Sequence, residues 1–287
     1  MIAFKQVDVF TSKPFKGNPV AVIMDASQLT TEQMQTIARW TNLSETTFVL
    51  PATNKQADYC VRIFTPKHEL PFAGHPTIGT AHALIEAGII SAKNDKIIQE
   101  CESGLVSLNL QNTSEGLSIS FELPVPIITP LDSNQIDKLE ALLGCPINRQ
   151  LNPLLVDVGA RWIVANTYDV KTVLATKPDF TKLAIHDTEM NITGSCIYGE
   201  WAEDKIEVRS FAPSCGANED PVCGSGNGCV AAFLRYYTFK ANTTERIIKS
   251  SQGQVLGRKG FIDLTISKDK ILVGGNAITC INGTIKI

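Results

Sequence analysis

Arg62-Ile63-Phe64-Thr65-Pro66, followed by Glu69-Leu70-Pro71-Phe72-Ala73-Gly74-His75, is the stretch on which the reading of this chain turns, because it recurs. Arg209-Ser210-Phe211-Ala212-Pro213 is followed by Glu219-Asp220-Pro221-Val222-Cys223-Gly224-Ser225. Both copies run R-x-F-x-P, a short loop, E-x-P-x-small-G-x, and then an apolar segment of helical length. The first block repeats at an offset of 147 residues (62 to 209) and the second at 150 (69 to 219), so the later loop carries three extra residues. Two matched motifs in one order at nearly one offset mark an internal duplication. A weaker echo joins Val7-Asp8-Val9 and Gly17-Asn18-Pro19-Val20 to Val156-Asp157-Val158 and Gly159-Ala160-Arg161-Trp162.

Working outward, β-branched and aromatic runs bounded by Gly, Pro or Asn predict strands over 4–10, 20–24, 47–50, 59–64 and 105–110. Helices are fewer. The span 30–41 opens on Thr-Thr-Glu-Gln, a capping-type start, and 134–143 is closed by Gly144. The segments 75–87 and 227–239 lack a polar face, which predicts burial. The fold class is therefore α+β: two similar halves, each of strands wrapped around one apolar helix. Leu123-Pro124-Val125-Pro126-Ile127-Ile128-Thr129-Pro130 reads as the linker. This divides the chain into 1–125 and 126–287, with a final strand at 277–287 free to return to the first half.

With 44% hydrophobic and 19% charged residues, the 287-residue chain has material for a sizeable core. A net charge of −3 and no block of like charges leave nucleic acid without an electrostatic footprint. The first residues lack a signal peptide's apolar region. No run approaches the ~18 apolar residues of a membrane helix. Eight cysteines without a CxxC pair read as free thiols of a reducing cytoplasm.

In each half a strand, a turn and a glycine-initiated helix follow one another. Backbone N–H groups near Gly74 and Gly224 would be left unpaired at the helix starts, where the helix dipole favours negative charge. With His75, Asp220 and Ser225 at those starts, a carboxylate or a developing enolate is the ligand they suit. Each feature also has a plain structural reading. The glycines serve tight turns, His75, Asp220 and Ser225 cap helices, and a lone Glu45 is a solvated turn residue. His68, His75 and His82 recur every seven residues, yet His68 precedes the helix and no H-E-x-x-H pattern exists, so no metal is expected. Ser225 lacks a nucleophile elbow, and Gly224-x-Gly226-x-Gly228 is not the dinucleotide fingerprint.

These motifs are recognisable together. Phe64-Thr65-Pro66-x-x-Glu69-Leu70-Pro71-Phe72-Ala73-Gly74-His75-Pro76-Thr77-Ile78-Gly79-Thr80-Ala81 resembles the first signature of the phenazine biosynthesis PhzF-like family, and 219–226 resembles its second. Phe10-Thr11 with 17–22 is similar to the family's opening, 42–49 to the segment bearing its catalytic glutamate, and Ser251-Gln252-Gly253 with Gly257-Arg258 and Gly260 to a late block. The resemblance implies the diaminopimelate epimerase-like fold, with a barrel-like shell around a central helix in each half and the site between halves. It also implies a homodimer, a small carboxylate substrate, and proton transfer without metal or organic cofactor, as in isomerisation of trans-2,3-dihydro-3-hydroxyanthranilate. Carried over by position, Glu45 is the acid/base, and Gly74, His75, Asp220, Cys223, Gly224 and Ser225 surround the substrate. Cys223 departs from the Thr of many members. Related racemases carry a catalytic thiol there and a second in the other half, where this chain has Ala73. Cys223 is thus a small packing residue or a single thiol base. A Cys223-dependent racemase or epimerase and a non-catalytic binding protein are the alternatives to the isomerase.

Overall fold

A computed structural model describes residues 1–238 and 245–287. Phe239, where the last of the four expected helices ends, lies outside the described residues. The chain divides into two compact units, Met1–Glu122 with Gly274–Ile287, and Leu123–Val273. The first holds β1 (Ile2–Val9), β2 (Asn18–Ile23), α1 (Thr31–Thr41), β3 (Glu45–Leu50), β4 (Tyr59–Phe64), β5 (Glu69–Leu70), α2 (Gly74–Glu86), β6 (Lys96–Cys101), β7 (Gly104–Thr113) and β8 (Gly116–Glu122). The second holds β9 (Ile127–Pro130), α3 (Ser133–Leu143), β10 (Leu154–Asp157), β11 (Arg161–Asn166), α4 (Val170–Ala175), α5 (Phe180–Glu189), β12 (Gly194–Ala202), β13 (Lys205–Ala212), β14 (Ala217–Asp220), α6 (Gly224–Thr238), β15 (Glu245–Gln252) and β16 (Gly260–Ser267). The unit boundary falls inside the last strand, β17 (Ile271–Ile285).

In the first unit β1 pairs antiparallel with β2, β2 parallel with β3, and β3 antiparallel with β4. β4 then runs parallel to β6, and antiparallel pairs lead through β7 to β8. β17 pairs with both β8 and β1, which closes the ring. Helix α2 packs on β1, β2, β3 and β8. Every residue from His75 to Ala81 is buried, as a helix without a polar face requires. Gly79 sets the approach, since a Cβ there would sit 2.4 Å from Val20 Cγ1.

The second unit repeats this order. β9, β10 and β11 are antiparallel, β11–β12 is parallel, β12–β13 antiparallel, β13–β15 parallel and β15–β16 antiparallel. Helix α6 takes the place of α2, packed on β10, β11, β12 and β16. The registers match residue by residue. Val7 opposes Val20, Val20 opposes Glu45, and Thr46 opposes Phe64. In the second unit Val156 opposes Trp162, Trp162 opposes Gly194, and Ser195 opposes Phe211.

The repeated motif has a physical purpose. Arg62 grips Glu69 with two bonds, Nε to Oε1 at 2.7 Å and Nη2 to Oε2 at 2.6 Å, and stacks 5.1 Å over Phe64. Arg209 grips Glu219 in the same way, at 2.9 and 2.8 Å, and stacks 4.9 Å over Phe211. In each unit the strand arginine pins the loop that delivers the next helix.

Some expectations shift at the edges. The strand expected over 4–10 stops at Val9, because Phe10 turns left-handed at φ +63°. Thr30 and Asp132 are N-caps with full capping boxes, so α1 and α3 begin one residue after them. Within the proline-rich stretch Ile127–Pro130 forms β9 on β10. Among the described residues no helix is long and apolar enough to cross a membrane.

Candidate active site

In the first unit α1 ends on Asn42, left-handed at φ +54°, and the chain re-enters the sheet at Glu45, the first residue of β3. Glu45 is thereby held by backbone at a strand end, opposite Val20. His75 occupies the first turn of α2, placed by the Arg62–Glu69 grip and by a bond from the Ser103 N–H to Pro71 O at 3.2 Å. The two elements bring Glu45 Oε2 to 3.3 Å from His75 Nε2, with side-chain exposures of 16% and 7%. Burial pushes the Glu45 carboxyl up to about 7, against a smaller opposing pull from the Ser44 hydroxyl. A carboxyl that titrates near neutrality, beside an imidazole, can both take and return a proton.

Ala73, the N-cap of α2, makes no side-chain capping bond to the helix start, and Pro76 has no N–H. The first-turn donors are therefore the backbone of Gly74 and His75. Gly74 itself is required by packing: a Cβ there would lie 2.6 Å from Phe121 Cζ, and Phe121 meets Phe72 edge-on at 5.4 Å. The glycine seats the helix on an aromatic pair, a reason the motif alone does not reveal.

The second unit uses the same places differently. By register Gly194 stands where Glu45 stands, and Trp162 where Val20 stands. A Cβ on Gly194 would be 1.9 Å from Phe211 O and 3.0 Å from the Trp162 ring, so no carboxylate fits there. The Trp162 indole N–H instead donates to Ser225 Oγ at 3.1 Å, and Ser225 is the counterpart of His75. The duplication thus sets a carboxyl beside an imidazole in one copy only, and a tryptophan anchors the other.

Asp220, Cys223, Gly224 and Ser225 gather at the start of α6. The Val222 N–H donates to Asp220 Oδ1 at 3.0 Å, and Gln252 Nε2 to Asp220 O at 2.8 Å. Gln252 Oε1 accepts from the Cys223 N–H at 3.2 Å and from Asn227 Nδ2 at 2.7 Å. Cys223 is 4% exposed and its Sγ accepts the Gly226 N–H at 3.3 Å, so the thiol caps the helix. Burial, with Asp220 close by, holds it well above the usual thiol range. That is the opposite of an activated thiolate. His68 is exposed in the loop before β5 and His82 lies far along α2, so neither joins His75.

The motifs contain Gln252, Trp162 and the buried threonines beneath His75, and a helix is expected from 227, but the sequence assigns none of these residues, nor Asn227, a place in the site. Thr77 and Thr80 carried a signal, as polar residues in an otherwise apolar helix.

A family model described as phenazine biosynthesis-like protein (PhzC-PhzF) matches residues 7–283. Antisense-enhancing sequence 1 of Schizosaccharomyces pombe is 43% identical over 98% of this chain and 97% of its own. The trans-2,3-dihydro-3-hydroxyanthranilate isomerase of Pseudomonas chlororaphis is 34% identical over 97% of each chain. Among solved structures, the Bacillus anthracis phenazine biosynthesis protein of the PhzF family superposes with a TM-score of 0.89 at 25% identity, covering 100% of this chain and 99% of that one. From the duplicated motif, the matched topology of the two units and these likenesses, the chain belongs to the phenazine biosynthesis PhzF-like family.

Proposed function

We propose that this isomerase moves a proton from one carbon of a small carboxylic acid to another, with Glu45 as the group that takes and returns it. The carrying observation is the buried Glu45 carboxyl, raised to about 7, with His75 at 3.3 Å. The ionised carboxylate removes an activated C–H proton. The electron pair left behind spreads through the adjoining unsaturation. The Glu45 acid then returns the proton to the second carbon, so the cycle ends with the carboxylate restored. His75 orients the carboxyl, and the first-turn N–H groups of α2 favour negative charge on the bound acid. The likeness to the Pseudomonas relative supports a dihydro-hydroxyanthranilate-like ring acid as the substrate we propose. For Asp220, Gly224 and Ser225 we propose binding roles, since they gather at the start of α6, where the helix dipole favours negative charge. We propose that the chain works as a homodimer, which sedimentation would establish or refute.

Glu45→Gln, which keeps shape and removes basicity, is expected to lower turnover of that ring acid by on the order of 10²–10⁴-fold. Retention of full turnover would sink the assignment. The thiol alternative finds no support in Cys223, which is buried, caps the helix and is held well above the usual thiol range by burial.

A further inference from the structure

The Glu45–His75 distance depends on how β3 lies against α2, and the two elements meet again one layer deeper. Thr47 is on β3, two residues from Glu45, and so shares its face of the strand. Thr80 is on α2, and its Oγ1 lies 2.8 Å from Thr47 Oγ1. The same Thr80 Oγ1 lies 2.7 Å from Pro76 O, in the turn that carries His75. Thr47 Oγ1 continues to Ala21 O on β2, at 3.3 Å. Both threonines are fully buried. A chain of hydroxyls thus ties the His75 turn, through Thr80 and Thr47, to the strand that bears Glu45.

Packing alone does not call for these hydroxyls. In the second unit the matching places hold Cys196 on β12 and Val230 on α6, and that helix also seats on its strands. The hydroxyl pair occurs in the copy that holds the carboxyl and the imidazole.

We infer that Thr47 and Thr80 are positioning residues for the proton transfer: their hydrogen bond fixes the register of β3 on α2 and thereby the contact of Glu45 with His75. This rests on the reading of Glu45 given above. Neither threonine needs to touch the substrate, so the inference separates geometry from chemistry.

The test uses the full chain with Thr80→Val, which keeps the shape and removes the hydroxyl. Thr80→Ser restores the hydroxyl, and Leu84→Ala serves as a control that loosens the same helix at a buried apolar position. The first readout is the Glu45 titration midpoint, from side-chain ¹³C NMR with the signal assigned by its loss in Glu45→Gln. The second is kcat and KM with trans-2,3-dihydro-3-hydroxyanthranilate. In Thr80→Val the midpoint is expected to fall from about 7 toward the ordinary 4.5, as water reaches the loosened carboxyl. kcat is expected to fall roughly 10-fold or more with KM little changed. Thr80→Ser is expected to recover both, and Leu84→Ala to lose thermal stability without moving the midpoint. A folded Thr80→Val with an unmoved midpoint overturns the inference, as does a Leu84→Ala that moves it equally. Should Glu45→Gln retain turnover, the proposed function fails, while the midpoint still decides whether the threonines position Glu45.

Discussion

Replacing Glu45 by Gln should inactivate the protein and stabilise it, and the stabilisation should depend on pH. The Glu45 carboxyl titrates at about 7 in the folded chain, against an ordinary 4.5, chiefly because burial disfavours its charge. Below 4.5 the side chain is protonated whether the chain is folded or not. Between 4.5 and about 7 the unfolded chain releases the proton and the folded chain keeps it, so stability falls as pH rises. Above the folded value both states are ionised and the loss is complete. At about 1.4 kcal/mol per pH unit that interval amounts to about 3 kcal/mol, taken as an order of magnitude for a side chain 16% exposed. Gln carries no charge to bury. Urea unfolding of both proteins at pH 4.5 and pH 8 is the assay. The variant should match the parent at the acid end and exceed it by about 2–3 kcal/mol at pH 8. A difference that does not change with pH would refute the claim that this carboxyl is held against its charge.

Three further outcomes follow from the two units. The Arg209–Glu219 pair is only 4% and 5% exposed and Arg62–Glu69 28% and 27%, so Arg209→Ala should cost about 3–5 kcal/mol and Arg62→Ala about 1 in urea unfolding. Gly74→Ala drives a methyl onto Phe121 and should cost about 1–3 kcal/mol, with a lowered melting temperature and weakened turnover as His75 shifts. Cys223→Ala should keep most of the turnover, and mass mapping after brief alkylation of the native protein should find exposed Cys215 modified well before Cys223.

The duplication was legible because its motif meets a strict chemical demand. An arginine that must find both a phenylalanine and a glutamate leaves a spaced signature. The central helices were legible because His75–Ala81 and Gly226–Leu234 offer water almost nothing. Strand ends were less so, since the left-handed turn at Phe10 has no glycine to announce it. Glu45 and His75 could be named from their motifs, but their 3.3 Å contact joins residues thirty positions apart through a parallel strand and a helix. Gly74 reads in the sequence as a turn glycine or a ligand-facing one, and the structure adds its packing against Phe121, a neighbour no local pattern reveals. Trp162 was invisible as a partner of Ser225 because its role exists only where Gly194 leaves a side chain out.

The central claim is that Glu45 carries the transferred proton, and proton NMR of trans-2,3-dihydro-3-hydroxyanthranilate with the protein in D₂O tests it most directly. Because a carboxyl titrating near neutrality exchanges with solvent, the wild-type chain should isomerise the ring and place deuterium on the receiving carbon. Glu45→Gln should leave both carbons and the spectrum unchanged. Deuterium uptake and isomerisation by Glu45→Gln at the wild-type rate would contradict the claim.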